Sequence, residues 1–377
     1  MANRENSRDY LSIFLQDTPL MDVRAPVEFN QGSFPHAQNL PLLNDQQRQQ
    51  IGIRYKEAGE KAAIDLGLSL ATPAIRAKRL AAWAEFCEQN PSGFLYCFRG
   101  GLRSKTTQAW LSAQGIDYPL IQGGYKAMRR YLLQQFQHLV AQKEFILLTG
   151  PTGSGKTQLL TELDNQINLE ALAHHRGSAF GKTPGSQPAQ IDFENQLAVQ
   201  LLKLHHGKLT DLPIVIEDES RLIGRIHLPP PLQTIMKTAP ILQLTAPLEF
   251  RVNTIYQDYV VAMASAYQEA HSDDQEPFRQ FVLGNLHRIR RRLGGERYHR
   301  IYTQFYGGLE ALANQRMSAS AGYFKQGIRT LLTEYYDPMY EYQLGQREGA
   351  RLMRGDHQTL RTWLKDFERQ TKGLQNP

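Results

Sequence analysis

Phe145-Ile146-Leu147-Leu148-Thr149-Gly150-Pro151-Thr152-Gly153-Ser154-Gly155-Lys156-Thr157 decides the fold of the larger part of this chain. An apolar run of strand length leads straight into Gly-x4-Gly-Lys-Thr, the loop that joins a buried strand to a helix and cradles phosphates with backbone N–H groups. Gly150, Gly153, Ser154 and Gly155 then form a diphosphate cradle, Lys156 neutralises phosphate charge, and Thr157 is an expected Mg2+ ligand. The pattern recognises a diphosphate, so any ligand that carries one fits it, ATP or not.

Reading downstream, Pro213-Ile214-Val215-Ile216-Glu217-Asp218-Glu219 is a second buried strand ending in three carboxylates. Asp218 is the expected metal-associated acid, with Glu217 and Glu219 as alternatives. Arg221 and Arg225 follow, placed for a second phosphate or for RNA, or simply at the surface. Pro240-Ile241-Leu242-Gln243-Leu244 is a third strand, and beyond residue 247 the chain reads as mostly helical. His174-His175-Arg176-Gly177-Ser178 has weak anion-binding character, and the Gly, Ser and Pro content of residues 177–188 predicts a mobile loop.

Upstream, strands and helices alternate with short connections, which argues for a parallel α/β sheet. Residues 19–23 form a short strand, residues 73–90 a helix with Ile75, Leu80, Trp83 and Phe86 near one face, and residues 94–97 a buried strand. That last strand runs into Cys97-Phe98-Arg99-Gly100-Gly101-Leu102-Arg103, followed by a helix. A cysteine there is expected to face inward-pointing amides and the positive end of a helix, both of which favour thiolate. Gly100 and Gly101 let the backbone curl around an anion, and Arg99 and Arg103 are placed to grip its oxygens. Two chemistries use such a loop, persulfide or perselenide transfer and phosphate-ester cleavage. Cys87, in an amphipathic helical stretch, reads as core.

With 377 residues, 41% hydrophobic and 21% charged, the chain has the length of two domains and the composition of a globular protein. The expected division is 1–135 for the cysteine-loop α/β domain, 140–250 for the P-loop α/β domain, and 251–377 for a mostly helical, basic extension of the latter. No stretch approaches the roughly 18 apolar residues of a membrane span, and no apolar leader is visible, so cytoplasmic location is expected. Two cysteines ten residues apart match no zinc pattern. The formal charge is +6, and residues 287–300 hold six arginines: Arg288, Arg290, Arg291, Arg292, Arg297 and Arg300. Aromatics interleave with them at Tyr298, Tyr302, Phe305 and Tyr306. Such a stretch suits the phosphates and bases of RNA, or is a solvated basic helix.

The first domain resembles the rhodanese family, through Asp22-Val23-Arg24, Glu28-Phe29, Gly32, His36, Asn39-Leu40-Pro41 and the position of Cys97. Its loop of seven residues is longer than the six usual in the family's sulfurtransferases and resembles the phosphatase-like branch, which implies a larger pocket. The whole chain resembles the tRNA 2-selenouridine synthase family, through Asp22-Val23-Arg24, Tyr96-Cys97-Phe98-Arg99-Gly100-Gly101-Leu102-Arg103-Ser104, Gly123-Gly124-Tyr125-Lys126, the P-loop, His175-Arg176-Gly177-Ser178-Ala179-Phe180-Gly181 and Glu217-Asp218-Glu219-Ser220-Arg221. That resemblance implies a transferase acting on tRNAs for Lys, Glu and Gln that carry 2-thiouridine at the wobble position. It implies selenophosphate and geranyl diphosphate as co-substrates, with an S-geranyl intermediate on the way to 2-selenouridine, and a selenophosphate-supplying enzyme as a candidate partner. Cys97 would be catalytic, as a perselenide carrier or as the residue that positions selenium. Arg99, Gly100, Gly101 and Arg103 would bind selenophosphate, and Thr157 with Asp218 would hold Mg2+. Arg288, Arg290, Arg291, Arg292, Arg297 and Tyr298 would bind tRNA. The rival readings are an NTP-dependent sulfurtransferase or kinase-like enzyme acting on a small molecule, and a non-catalytic RNA-binding module.

Overall fold

The computed structural model describes residues 4–178, 180–181, 185–271 and 274–373. The chain divides into two compact units: residues 1–139 with 189–206, and residues 140–188 with 207–377. The helix Gln190–His206, which follows the P-loop segment in sequence, therefore belongs to the first unit.

In the first unit, β1 (Leu20–Asp22), β2 (Ala37–Asn39) and β3 (Phe94–Tyr96) form a parallel sheet in the order β2-β1-β3. Residues 119–121 make only single parallel bridges, Leu95 to Leu120 and Ser7 to Ile121. Helices Pro73–Gln89 and Leu102–Ser112 flank the sheet, and Met21, Val23, Trp83, Phe86, Leu95 and Leu111 close the core between them. Cys87 is part of that core, as expected.

The Asp22-Val23-Arg24 motif is a buried clamp. Arg24 is 1% exposed and pairs with the wholly buried Asp22 at 2.6 Å. Its remaining N–H groups donate to the carbonyls of Glu28 (3.3 Å) and Gly32 (2.8 Å), and its guanidinium lies 3.8 Å from the Tyr125 ring centroid. Asn39 closes the set by donating to the carbonyls of Asp22 and Arg24 at 3.0 and 2.9 Å. A buried charge survives only when its partners are this complete, so the motif ties the end of β1 to the chain that returns as β2.

In the second unit, β4 (Phe145–Thr149), β5 (Gln166–Ile167), β6 (Ile214–Glu217), β9 (Ile241–Leu244) and β10 (Arg351–Gly355) form a five-stranded sheet, every recorded pairing parallel, ordered β10-β9-β4-β6-β5. The short antiparallel pair β7 (Leu222–Ile223) and β8 (Ile226–His227) stands apart from it. β4, β6 and β9 are buried along their whole length, which is why they read as unbroken apolar runs rather than as alternation. β10 is a strand within a region, 251–377, expected and found to be mostly helical. Arg-Leu-Met-Arg-Gly has no strand pattern, and it is held at the sheet edge by backbone pairing to β9.

The rest of the C-terminal region is helical around a second core that includes Leu286, Ile301, Phe305, Phe324 and Leu332. Two of its helices contain a π-helical turn, Gln257–Val261 and Leu332–Tyr336. Among the described residues no helix is long and apolar enough to cross a membrane.

Candidate functional site

Cys97 follows β3 directly and is 3% exposed. Its Sγ shares a hydrogen bond with Ser104 Oγ at 3.2 Å, and Ser104 in turn donates to the Gly101 carbonyl at 3.0 Å. Residues 98–101 curl as expected. Gly100 has φ +68°, and a Cβ there would lie 2.7 Å from the Gly123 amide nitrogen, so the position needs glycine twice over. The loop is pinned from outside by Tyr125 N–H to the Cys97 carbonyl and Lys126 N–H to the Phe98 carbonyl, both 2.9 Å. Among the described residues, no hydrogen-bond acceptor is recorded for the amides of Phe98, Arg99, Gly100 or Gly101. Loop amides without an internal acceptor are what an anion nest requires.

The two loop arginines are placed differently. Arg99 is exposed beside the nest. Arg103 points to Glu28, its Nη1 and Nη2 lying 2.5 and 3.1 Å from the carboxylate oxygens. Arg103 therefore braces the loop against the helix Pro26–Gln31 instead of reaching freely for an anion. Burial alone would raise the Glu28 carboxyl, yet the hydrogen bond and charge of Arg103, the Ala25 amide and Arg48 hold it below its ordinary value.

In the second unit the P-loop runs from β4 into the helix Lys156–Thr161. Gly153 has φ +79°, and a Cβ on it would meet the Arg251 carbonyl and Ile255 at 2.9 Å. Lys156 Nζ donates to the Gly150 carbonyl at 2.7 Å, which holds it beside the loop. Ser154 is buried, and its hydroxyl has no hydrogen-bond partner among the described residues. A phosphate oxygen in the cradle would satisfy such an orphan.

The acid beside Thr157 is Glu217, not Asp218. Thr157 Oγ1 lies 3.4 Å from Glu217 Oε1, and Glu217 Oε2 accepts from the Glu170 amide at 3.0 Å. Asp218 is ion-paired with Arg347. The reason is the period of the strand: Glu217 and Asp218 leave the end of β6 on opposite sides, and only the first side meets the P-loop. Burial, then the neighbouring Glu170 carboxylate, push Glu217 up to about 7, while Lys156 and Thr157 pull the other way. Glu219 is raised well above the usual carboxylate range by burial, with Glu170 and Glu217 adding to it. Thr157 and Glu217 offer oxygen donors of the kind Mg2+ takes. Among the described residues no group of three or more His, Cys, Asp or Glu side chains is arranged to hold a metal.

Several residues the sequence did not single out complete the site. Arg251 is 5% exposed, donates to the Thr152 carbonyl at 2.9 Å and forms a two-pronged pair with Asp337 at 2.5 and 3.0 Å. Beside the P-loop lies a small apolar cleft of about 40 Å3. Thr152 and Ser178 are on its wall, and Ile255, Tyr259, Phe305 and Phe324 line it further. The segment after His175 packs here too. Arg176 pairs with Asp258 at 3.2 Å and covers the Tyr259 ring, and Ser178 Oγ hydrogen-bonds the Tyr259 hydroxyl at 3.2 Å. Part of the loop at 177–188 falls outside the described residues.

Of the arginine stretch, Arg288, Arg290, Arg291 and Arg292 are exposed, and among the described residues no carboxylate pairs with them. Arg288 donates to the Asn285 side chain at 3.2 Å. Arg297 donates to the Glu334 carbonyl at 2.9 Å, and Arg300 pairs with the Glu334 carboxylate at 2.5 Å. Tyr298 packs against the helical core and stands 6.0 Å from Tyr302, which is 6.0 Å from Tyr306. Arg221 is exposed beyond β6, and Arg225 donates to the carbonyls of Gln187 and Pro188.

A family profile described as "tRNA 2-selenouridine synthase AAA domain" matches residues 143–371. Proteins named tRNA 2-selenouridine synthase resemble the chain over nearly its whole length. That of Marinobacter nauticus is 48% identical, covering 97% of this chain and 99% of its own. That of Alcanivorax borkumensis is 46% identical over 96% and 99%, and that of Pseudomonas syringae pv. syringae 44% over 97% and 99%. With a profile spanning more than half of the chain and relatives at this identity, the chain belongs to the tRNA 2-selenouridine synthase family, whose members are enzymes of tRNA modification.

Proposed function

We propose that the protein is a transferase that exchanges the sulfur of wobble 2-thiouridine, in tRNAs for Lys, Glu and Gln, for selenium from selenophosphate. In this reading the exchange passes through an S-geranyl intermediate made from geranyl diphosphate. The observation that carries the reading is that one chain builds two separate anion cradles, a P-loop and a cysteine nest. A reaction with one diphosphate and one monophosphate donor uses both, whereas kinase-like NTP turnover on a small acceptor leaves the nest without a role.

In the first half-reaction the thiouridine sulfur attacks C1 of the geranyl group. The C1–O bond breaks and diphosphate leaves into the P-loop, stabilised by the loop amides, Lys156 and the Ser154 hydroxyl. Mg2+ held by Thr157 and Glu217 would neutralise the charge of that leaving group. In the second, the rhodanese-like unit would bind selenophosphate at the loop of residues 98–101, with Arg99 at its edge and Cys97 positioning the selenium for attack at C2 of the base, while the Se–P bond breaks and water takes the phosphoryl group to give phosphate. Geranyl thiolate is the leaving group. Arg288, Arg290, Arg291 and Arg292 take tRNA phosphates.

Mass spectrometry of nucleosides from 2-thiouridine tRNA tests this, after incubation with the protein and geranyl diphosphate and then with selenophosphate. A geranylated nucleoside followed by 2-selenouridine supports both half-reactions. Unchanged 2-thiouridine in both incubations would remove the reading and favour nucleotide turnover on a small acceptor.

A further inference from the structure

Between β2 and the helix Pro73–Gln89, the first unit carries a stretch that takes no part in its sheet. Residues Asp45–Leu70 are helical, but Gly59, with φ +78° and ψ −175°, breaks the helix in two. A straight helix would set Ile51 and Gly67 about 24 Å apart, at roughly 1.5 Å per residue. Instead, a Cβ on Gly67 would lie 3.4 Å from Ile51 Cδ1, and Gln47 Nε2 donates to the Leu70 carbonyl at 3.4 Å. The chain therefore doubles back at Gly59 into an antiparallel helical hairpin.

The root of the hairpin is fixed and its shaft is bare. Asn44 and Gln47 cap the outgoing helix reciprocally, at 2.8 and 3.2 Å, and Arg79 donates to Gln47 Oε1 at 2.6 Å. Asp45 accepts from the Val27 amide at 2.8 Å, and Arg48 lies 3.2 Å from Glu28, the carboxylate that also holds Arg103. One side chain thus separates the hairpin root from the cysteine loop. From Gly52 to Lys61 every residue is exposed, Ile53 by 48% and Tyr55 by 57%. Along this length the hairpin buries no apolar stripe against the unit. It is surface, not core.

The charge of that surface selects its partner. Residues 46–56 hold Arg48, Arg54 and Lys56 and no acid. Residues 72–84, which meet the root through Arg79, hold Arg76, Lys78 and Arg79 and again no acid. Apart from Asp45 at the root, the hairpin's acids (Glu57, Glu60 and Asp65) lie near the turn and on the returning helix. Among the described residues no carboxylate pairs with Arg54 or Lys56. Uncompensated cations beside the amide side chains of Gln49 and Gln50 and an exposed tyrosine suit a phosphate backbone. An apolar protein face would instead have to desolvate those charges. Proteins of this family act on tRNA, and a base presented to Cys97 brings its flanking backbone to the same part of the unit.

We propose that the outgoing helix of this hairpin, through Arg54 and Lys56, holds the tRNA backbone that flanks the base presented to the cysteine loop. The proposal rests on the reading of that loop as the site of the selenium step and adds a tRNA-binding surface within the first unit.

The test is fluorescence anisotropy of the full-length protein, across a salt series, with tRNA and with an isolated anticodon stem-loop. Arg54→Gln combined with Lys56→Gln should flatten the dependence of log K on log salt by about 1.4–1.8 for both RNAs, near 0.7–0.9 for each phosphate released. Lys61→Gln, beside Glu60 and Asp65 on the returning helix, should change the slope by less than about 0.5. Independently of those charges, a photo-crosslinking Tyr55→p-benzoylphenylalanine variant should attach to the tRNA. An unchanged slope in the double variant overturns the proposal, and so does a loss per charge as large for Lys61→Gln, the mark of attraction to any basic surface. A slope change confined to full-length tRNA overturns the placement beside the wobble base. A crosslink to a second copy of the chain in place of tRNA also overturns it and makes the hairpin a self-association surface. If the double variant matches a parent protein that binds the stem-loop and makes 2-selenouridine, the selenium reading stands and only the hairpin falls. Failure of the parent protein to bind either RNA removes both.

Discussion

The guanidinium of Arg103 and the carboxylate of Glu28 meet at 2.5 and 3.1 Å, so the residue that closes the cysteine loop is fastened to the helix beside it. Glu28 is 10% exposed on its side chain and Arg103 25%. Arg103→Ala strands a mostly buried carboxylate and should cost about 2 kcal/mol at neutral pH. Glu28→Gln in the Arg103→Ala background should restore part of that loss, and a double-mutant cycle by chemical denaturation reads the coupling. Because the folded-state pKa of Glu28 is depressed, its contribution is present above the ordinary carboxylate pKa and lost as pH falls through the lower, folded value. The cycle should therefore shrink in acid, below about pH 4. A coupling unchanged from pH 7 to pH 3 would show that the pair does not brace the loop.

Glu217 has the opposite sign. Its carboxyl is pushed up to about 7 by burial and by Glu170, so the folded state holds a proton that the unfolded chain releases near pH 4.5. Stability falls as pH rises between those values. Glu217→Gln should match the parent protein at pH 4.5 and exceed it at pH 8, by on the order of 1 kcal/mol, or about 2–4 °C in Tm. Thermal melts across that range, in buffer free of divalent cations and phosphates, check it. Equal melts at pH 8 would place the Glu217 proton elsewhere.

Much of this was legible in the sequence, and the gaps have physical reasons. The Gly-x4-Gly-Lys-Thr loop and the buried strands before and after it could be read because a strand buried on both faces must be apolar throughout and the loop must be glycine-rich. Cys97 at the end of β3 followed from the same logic. The choice of Glu217 over Asp218 was not legible, since it depends on which side of β6 faces Thr157. Nor was Arg251, which sits 99 residues from Thr152 in sequence, nor Arg351–Gly355, a strand without apolar alternation that pairs with β9 and sets Met353 against the core. The cleft was hidden for a related reason: its walls are aromatic and aliphatic residues at helical spacing, which in sequence are indistinguishable from core.

Arg251 supports the P-loop from behind. Arg251→Ala removes the donor to the Thr152 carbonyl and leaves Asp337 without its two-pronged partner. About 3 kcal/mol of stability should go, and pyrophosphate affinity should drop by on the order of 10-fold as the loop loosens. Arg251→Lys keeps charge without the fork and should recover stability more than affinity. Calorimetry with pyrophosphate, paired with melts, separates the two effects; full pyrophosphate affinity in Arg251→Ala would mean the loop holds its shape alone.

The two cysteines should differ in reactivity. Burial pushes the Cys87 thiol up to about 12, so it stays protonated and inert at pH 8. Cys97 is equally buried but lies in a loop whose amides at residues 98–101 have no recorded acceptor among the described residues. Peptide mapping after limited iodoacetamide treatment of the folded protein should find label at Cys97 and not at Cys87. Selenophosphate or phosphate in the nest should slow the labelling. Label at Cys87 under native conditions would mean that the helix Pro73–Gln89 opens locally.

The arginines of residues 288–300 divide into free and tethered ones, and tRNA binding should follow that division. Arg290, Arg291 and Arg292 are exposed with no ionic partner among the described residues, whereas Arg297 and Arg300 are engaged by Glu334. A free arginine brings its whole charge to a phosphate; a tethered one must first give up its carboxylate. Replacing all three free arginines with alanine should weaken tRNA binding and flatten the dependence of log K on log salt by about 2–3, near 0.7–0.9 for each phosphate no longer neutralised. Replacing Arg297 and Arg300 should change the salt slope by less than about one while lowering Tm slightly. Filter binding across a salt series measures both. A larger slope change from the tethered pair than from the free three would place the tRNA on the Glu334 side of this helical region.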